Sequence, residues 1–318
     1  MSQAPAEFVW LNGEIVPWDK ATVHVFTHAL HYGTGVFEGI RAYKAEDDIL
    51  VFRLNDHIRR MVDSARIYGF ALPYCEGEIC KGVLDLIRRN NFRSSLYVRP
   101  IAFKGVGGIS LDARATPISV SIIAIPYEKY FDPDKQGLDV CVSTWRRLGD
   151  PSVPAMAKAC GHYINSVLAR TEAAEAGFDE ALFLDNNGNV AEGTGENIFL
   201  VKDDCIATPG ISSNILRGIT RETIMSIIND LEIPFTERTL ARSELYTCEE
   251  AFLTGTAAEV TPILSIDRKL VGAGEPGPRT LQLQREYERL VSGRNPKYLG
   301  YLTPVYDTGR VQLKGTRS

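Results

Sequence analysis

Near the middle of this chain, the run from Pro126 to Gly137 is polar, broken by prolines and closed by a glycine, and strand-like apolar patterns resume beyond it. Such a stretch offers no regularly spaced residue to a core and reads as a linker. The 318 residues also exceed what one hydrophobic core usually holds. Two domains are therefore expected: a small N-terminal α/β domain over 1–126, a linker over 127–137 and a large C-terminal domain over 138–318. Hydrophobic residues make up 44% of the chain, enough for two cores.

Charge and cysteine usage narrow the class of function. The net charge is −5 and no block of Lys or Arg stands out, which argues against nucleic acid as a partner. The longest apolar strip, from Ile118 to Tyr127, is too short to cross a bilayer, so no membrane association is expected. Met1 to Glu7 lacks a basic region followed by an apolar run, and no secretory signal is expected. Six cysteines are scattered without a Cys-x-x-Cys pair, as in a reduced, cytoplasmic protein that binds no metal through them.

In the N-terminal part, Asn12-Gly13 between two apolar runs predicts a hairpin. The stretch from Val23 to Arg41 mixes glycines with aromatics and reads as a binding segment that enters a strand at Gly39 to Tyr43. His24, His28 and His31 within it have the spacing of metal ligands on a helix, the basis for a rival reading as a metal-dependent hydrolase. No carboxylate accompanies them at ligand spacing, and the β-branched start disfavours a helix. Helices are predicted over Asp56 to Tyr68, capped by Asn55, and over Glu76 to Asn90. Arg59 and Arg60 both fall off the apolar stripe of the first, on what reads as a solvated face. Strands follow at Ser95 to Phe103 and Ile118 to Ile125. In the former, Tyr97 and Arg99 share one face. The glycine-rich loop between them, Gly105 to Asp112, lacks dinucleotide-binding spacing.

In the C-terminal part, Lys158 sits in Ala155-Met156-Ala157-Lys158-Ala159-Cys160-Gly161, with no charge partner and little bulk among its neighbours. That setting suits an amine that a carbonyl must reach, because a lysine is nucleophilic only when deprotonated. A helix is predicted from Tyr163 to Ala176, then a meander through Glu180 to Leu184 and Glu196 to Lys202. A further helix begins near Thr220, where unpaired amides and the helix dipole suit a phosphate. The turn from Gly255 to Ala258 can aim amides at an anion, either a cofactor phosphate or a substrate carboxylate. A last helix is expected over Gly277 to Leu290, and nothing is read from the tail after Ser292.

Several of these stretches, as ordered words, resemble one known family. Lys158 with Tyr163, then Glu192-Gly193-Thr194-Gly195-Glu196-Asn197, then Gly218-Ile219-Thr220-Arg221, then Thr254-Gly255-Thr256-Ala257-Ala258-Glu259, is similar to the class IV pyridoxal-phosphate aminotransferases. Tyr97-Val98-Arg99 resembles the signature of their branched-chain amino-acid group. The resemblance implies an α/β (α+β) fold of pyridoxal-phosphate fold type IV, the two-domain D-amino-acid-aminotransferase-like fold. It implies pyridoxal 5'-phosphate as cofactor, with Lys158 as its covalent anchor and general base, Glu192 on the pyridine nitrogen and Tyr163 on the phenolic oxygen. Arg60, rather than Arg59, would take the phosphate, and Gly195, Leu216, Gly218, Ile219, Thr220, Gly255 and Thr256 complete the cofactor site.

The same resemblance places Phe37, Gly39, Tyr97, Arg99, Tyr130, Thr256 and Ala257 in the substrate pocket. Tyr32 and the loop residues Gly108 and Ile109 would serve the pocket of a partner subunit, which implies a homodimer or higher homo-oligomer. Gly107 stands where some relatives carry a bulky residue. The implied reaction passes the amino group of L-leucine, L-isoleucine or L-valine to 2-oxoglutarate. Other members of the fold act on D-amino acids or primary amines, the nearest alternative.

Overall fold

The computed structural model describes residues 5–127, 131 and 135–306, so Tyr130 and much of the expected linker lie outside the described residues. These residues form two compact units. The first contains 5–127, 157–161 and 289–306, and the second contains 131, 135–156 and 162–288. The units depart from the expected division at the lysine segment and the tail. Segment 157–161 belongs to the first unit because the Phe37 amide donates to the Lys158 carbonyl at 3.0 Å and Val36 forms a β-bridge with Ala159.

In the first unit, β1 (Phe8–Leu11), β2 (Glu14–Pro17), β3 (Gly35–Phe37), β4 (Ile40–Lys44), β5 (Ile49–Phe52), β6 (Leu96–Lys104) and β7 (Ile118–Pro126) join a terminal strand, Leu302–Pro304, in one sheet. The path runs terminal strand, β5, β4, β6, β7, β1, β2, with β3 also on β6. The β1–β2 turn has Asn12 at φ 48° and Gly13 at φ 93°, the left-handed pair that a two-residue hairpin requires. Besides the short α1 (His28–Tyr32), helices α2 (Leu54–Ile67) and α3 (Glu76–Arg89) belong to this unit. Ile58, Met61, Ile79, Val83 and Leu86 from α2 and α3 share a core with Leu96, Val98, Val120 and Ile122 of β6 and β7. Each such side chain contributes roughly 1.5–3 kcal/mol on burial. Because residues alternate along β6, Tyr97 and Arg99 lie on the face opposite to that core.

Two expectations for this unit need correcting. Helix α2 starts at Leu54, and its cap is Arg53 rather than Asn55. Arg53 adopts a left-handed φ of 48°, its amide donates to the Tyr301 carbonyl, and its Nε donates to Asp56 in the first helical turn. The tail is also structured: Leu302 to Pro304 pairs antiparallel with β5, and Tyr298, Leu302 and Val305 are buried.

In the second unit, β8 (Leu138–Arg146), β9 (Glu180–Leu184), β10 (Val190–Gly193), β11 (Asn197–Lys202), β12 (Cys205–Thr208), β13 (Phe235–Glu237), β14 (Glu250–Gly255), β15 (Glu259–Ile266) and β16 (Lys269–Leu270) form a mixed sheet. Its order is β10-β9-β8-β15-β14-β11-β12-β13, with β16 on β15. Strand β8 runs parallel to both β9 and β15. Helices α4 (Tyr163–Glu175) and α5 (Ile219–Asp230) belong to this unit, and α6 (Pro278–Val291) closes it and leads the chain back to the first. The apolar residues of β9 and β11 are buried along almost their whole length, as expected of central strands.

Candidate active site

The backbone of Lys158 is held from both sides in the first unit. Its amide donates to Ser64 Oγ at 3.0 Å, and its carbonyl accepts from the Phe37 amide. The side chain therefore starts from a fixed position, and Nζ lies 5.1 Å from the centre of the Phe37 ring. The same ring carries the Arg99 guanidinium at 4.6 Å. Arg99 Nη2 donates to the Tyr97 hydroxyl at 2.7 Å, while its buried Nε meets no acceptor among the described residues. A Cβ at position 39 would collide with the Tyr97 hydroxyl, so Gly39 provides the room that Tyr97 occupies. Lys158, Phe37, Gly39, Tyr97 and Arg99 thus form one wall.

Arg60 faces a buried carboxylate that the sequence did not single out. Its Nε donates to Glu38 Oε1 at 2.7 Å and its Nη2 to Oε2 at 2.8 Å, a two-pronged pair. His57 Nδ1 lies 2.7 Å from the same Oε2. Burial opposes ionisation of Glu38, but the Arg60 charge and the hydrogen bonds from Arg60 and His57 hold its carboxyl well below the usual range. An ionised carboxylate only accepts, so Nδ1 carries the His57 proton. Burial, partly offset by Glu38, lowers the His57 pKa and keeps the ring neutral at pH 7.

The residues assigned by resemblance to a partner's pocket lie together on the outside of this unit. The Tyr32 hydroxyl donates to the Ile109 carbonyl at 2.8 Å, and both side chains are exposed. Gly108 has φ 114°, a backbone state that favours glycine. The three histidines are engaged separately. His24 Nδ1 accepts from the Phe26 amide, His28 lies between Thr34 Oγ1 and the Ser110 carbonyl, and His31 Nε2 meets the Val25 carbonyl. Among the described residues no cluster of potential metal ligands occurs, and His24 precedes α1, so the helical ligand row is not formed.

In the second unit Glu192, near the end of β10, is a buried acceptor. Arg147 Nε donates to its Oε1 at 2.6 Å, and Asn197 Nδ2 and the Leu216 amide each donate to its Oε2 at 3.0 Å. Asn197 also donates to the Leu216 carbonyl at 2.9 Å, and its Oδ1 occupies the space a Cβ on Gly218 would need. Gly218 is the cap of α5, so Ile219 and the buried Thr220 stand in its first turn, at the positive end of the helix dipole. Gly255, Thr256 and Ala257 lie at the β14–β15 turn, and the preceding Thr254 Oγ1 is buried with no partner among the described residues. Tyr163 opens α4, two residues beyond the lysine segment. Arg147 and Asn197 went unassigned in the sequence. Asn197 closes the Glu192 word, a signal that was present, whereas Arg147 pairs with Glu192 across 45 positions and has no local signature.

The sequence pattern described as Amino-transferase class IV matches residues 35–266, most of the chain. The chain belongs to this family. Among class IV aminotransferase relatives, the branched-chain-amino-acid aminotransferase of Salmonella typhimurium is 41% identical over 310 residues, covering 96% of this chain and 99% of its own. The crystal structure of a branched-chain aminotransferase from Thermoproteus uzoniensis with norvaline matches with a TM-score of 0.91 at 46% identity, over 95% of this chain and 100% of that one. That of a branched-chain amino acid aminotransferase from Thermobaculum terrenum in its PLP-bound holo-form matches with a TM-score of 0.90 at 39% identity, with coverage of 95% and 99%. The two-sheet α/β architecture is accordingly that of class IV aminotransferases, as the resemblance implied. Lys158, Glu192, Thr220 and Thr256 all fall inside the matched span.

Proposed function

We propose that this chain is a branched-chain amino-acid aminotransferase that uses pyridoxal 5'-phosphate and exchanges the amino group of L-leucine, L-isoleucine or L-valine with 2-oxoglutarate. The observation that carries the substrate reading is the Phe37 ring, which holds an amine, Lys158 Nζ, and a carboxylate receiver, the Arg99 guanidinium, within about 5 Å of its centre. One pocket must accept both leucine-like side chains and glutamate. Phe37 supplies an apolar surface for the former, and Arg99, with a buried N–H in want of an acceptor, supplies the cation for the latter.

The donor set fits the cofactor. The first unit offers a positioned primary amine and a guanidinium fork, and the second offers a buried carboxylate and a helix start. Pyridoxal phosphate, when bound, supplies an electron-withdrawing ring that takes up the electron pair left as the α-proton departs. Lys158 would anchor it and would carry that proton as general base. Glu192, fixed by Arg147, Asn197 and the Leu216 amide, would accept from the pyridine nitrogen and keep it protonated. Tyr163 would donate to the phenolic oxygen. Arg60, Ile219, Thr220 and Thr256 would hold the phosphate, a reading that suits a guanidinium fork and a helix start, each taken in its own unit. Gly195, Leu216, Gly218 and Gly255 would complete the cofactor site, and Ala257 would line the substrate pocket.

The assembly we propose is a homodimer or a higher oligomer of it. Val25 is 77% exposed, Leu30 62% and Leu111 84%, beside exposed Phe26, Tyr32 and Ile109. An apolar recess of about 330 Å³, bounded by Leu11, Val23, Leu30, Ile101, Phe103 and Cys160, opens on the same side. So much contiguous apolar surface marks an interface. The described helices include none long and apolar enough to cross a membrane, and a cytoplasmic enzyme is the reading that fits the unpaired cysteines.

Visible absorbance of the protein loaded with pyridoxal phosphate tests the reading. Addition of L-leucine should convert the band near the aldehyde form to that of the aminated cofactor, and 2-oxoglutarate should restore it. A band that ignores L-leucine but answers D-alanine would keep the cofactor and remove the substrate, and no band would remove both.

A further inference from the structure

Glu38 stands between two residues already placed in the pocket wall, Phe37 and Gly39, yet its carboxylate is turned to Arg60 and His57. Its carboxylate receives four donors: Arg60 Nε at Oε1, and Arg60 Nη2, His57 Nδ1 and the Gly39 amide at Oε2. Its backbone is equally fixed, since its amide donates to the Pro100 carbonyl at 2.8 Å on β6. The Glu38 side chain is wholly buried and that of His57 is 1% exposed. A carboxylate this enclosed costs stability unless it is paired, so it is retained where its geometry serves something else.

That geometry acts on Arg60. His57 and Arg60 are three residues apart on α2 and share a face, and Ser64 lies one further turn along it. Ser64 Oγ donates to the Arg60 carbonyl at 2.8 Å and accepts the Lys158 amide. One face of one helix thereby sets both the Arg60 fork and the height of the lysine backbone. A free arginine side chain would sample many rotamers, whereas two parallel bonds to Glu38 fix the plane of the guanidinium.

We propose that Glu38, supported by His57, is the positioning residue for Arg60, so that the phosphate of the cofactor is held by a three-residue device rather than by one arginine. This rests on the reading that Arg60 receives the phosphate. Glu38→Gln keeps the volume but turns one acceptor oxygen into a donor facing Arg60 Nη2 and His57, and the guanidinium loses one prong of its pair.

The experiment compares two probes on the full-length apoprotein by equilibrium dialysis: pyridoxal 5'-phosphate and pyridoxal, which lacks the phosphate. Glu38→Gln should weaken pyridoxal phosphate about tenfold or more, the effect of losing one charge-assisted hydrogen bond. Pyridoxal should bind as in the parent protein. In an Arg60→Lys background, Glu38→Gln should add no further loss specific to the phosphate. Equal weakening of both probes, or of neither, overturns the proposal. If Arg60→Lys alone leaves the preference for pyridoxal phosphate intact, the reading of Arg60 fails. If Arg60→Lys abolishes that preference and Glu38→Gln does not reduce it, only the positioning role fails. Should Glu38→Gln not fold, His57→Leu removes one donor from the same carboxylate, and the same phosphate-specific loss is required of it.

Discussion

Glu196 is a carboxyl placed where ionisation is penalised. Its side chain lies across two glycines: a Cβ at Gly193 would come within 2.9 Å of its Oε2 and one at Gly255 within 3.2 Å of its Cγ. Burial first, then the neighbouring charge of Glu180 and to a lesser degree that of Glu192, push it up to about 8, against hydrogen bonding from the Gly195 amide and attraction from Arg170. The folded state therefore keeps a proton that the unfolded chain gives up near its ordinary value of 4.5. Between those values the native state binds more protons, so stability falls as pH rises from about 4.5 to about 8. Glu196→Gln should flatten that decline, and thermal melts at pH 5 and pH 8 should differ less than in the parent protein. An unchanged difference would mean that Glu196 is ionised at neutral pH. At this scale the sequence singles out residues that stand in ordered words, as Lys158, Glu192 and Thr220 do. It was silent for Glu38, His57 and Arg147, whose meaning comes from partners supplied by distant segments.

Strand β6 turns one alternation into chemistry. Its buried residues, Leu96 and Val98 among them, face α2 and α3, and that same pleat puts Tyr97 and Arg99 on the other side, over Phe37 of β3. The shared face of Tyr97 and Arg99 could be read from a spacing of two, but the aromatic beneath Arg99 could not. Arg99→Ala should reduce kcat/KM for L-glutamate by about thirty- to a thousand-fold, as expected for about 2–4 kcal/mol lost with a buried charge partner. The loss for L-leucine should stay within about tenfold, because a leucine side chain makes no ion pair. Half-reaction rates with each amino acid measure both, and equal losses would show that Arg99 supports the pocket without recognising the side chain. Helices were legible by their apolar period, but not their ends. Arg53 caps α2 in a left-handed conformation that propensity disfavours, held there by Tyr301 from the tail. The tail itself carries no periodicity, and its strand exists only because β5 offers an edge.

For the whole molecule, the placement of Tyr32 and the loop through Ile109 decides whether one chain suffices. Both face outward, tied to each other by the Tyr32 hydroxyl, the Thr27–Val106 bridge and the His28 contacts to Gly105 and Ser110. A side chain so held and so exposed does little for its own core, and it suits reaching into a second copy. If it does, two defective proteins should repair each other. Lys158→Ala removes the anchor but leaves a sound Tyr32 to lend, while Tyr32→Ala keeps the anchor but lends nothing. In a mixed dimer, the subunit carrying Tyr32→Ala has its own Lys158 and receives Tyr32 from its partner, so one of the two sites is whole. Random pairing of equal amounts makes half the dimers mixed, and co-expression should therefore restore about a quarter of the parent activity. Each variant expressed by itself should show far less. If Tyr32 served its own subunit, every site in the mixed dimer would lack one of the two residues, and co-expression would restore nothing.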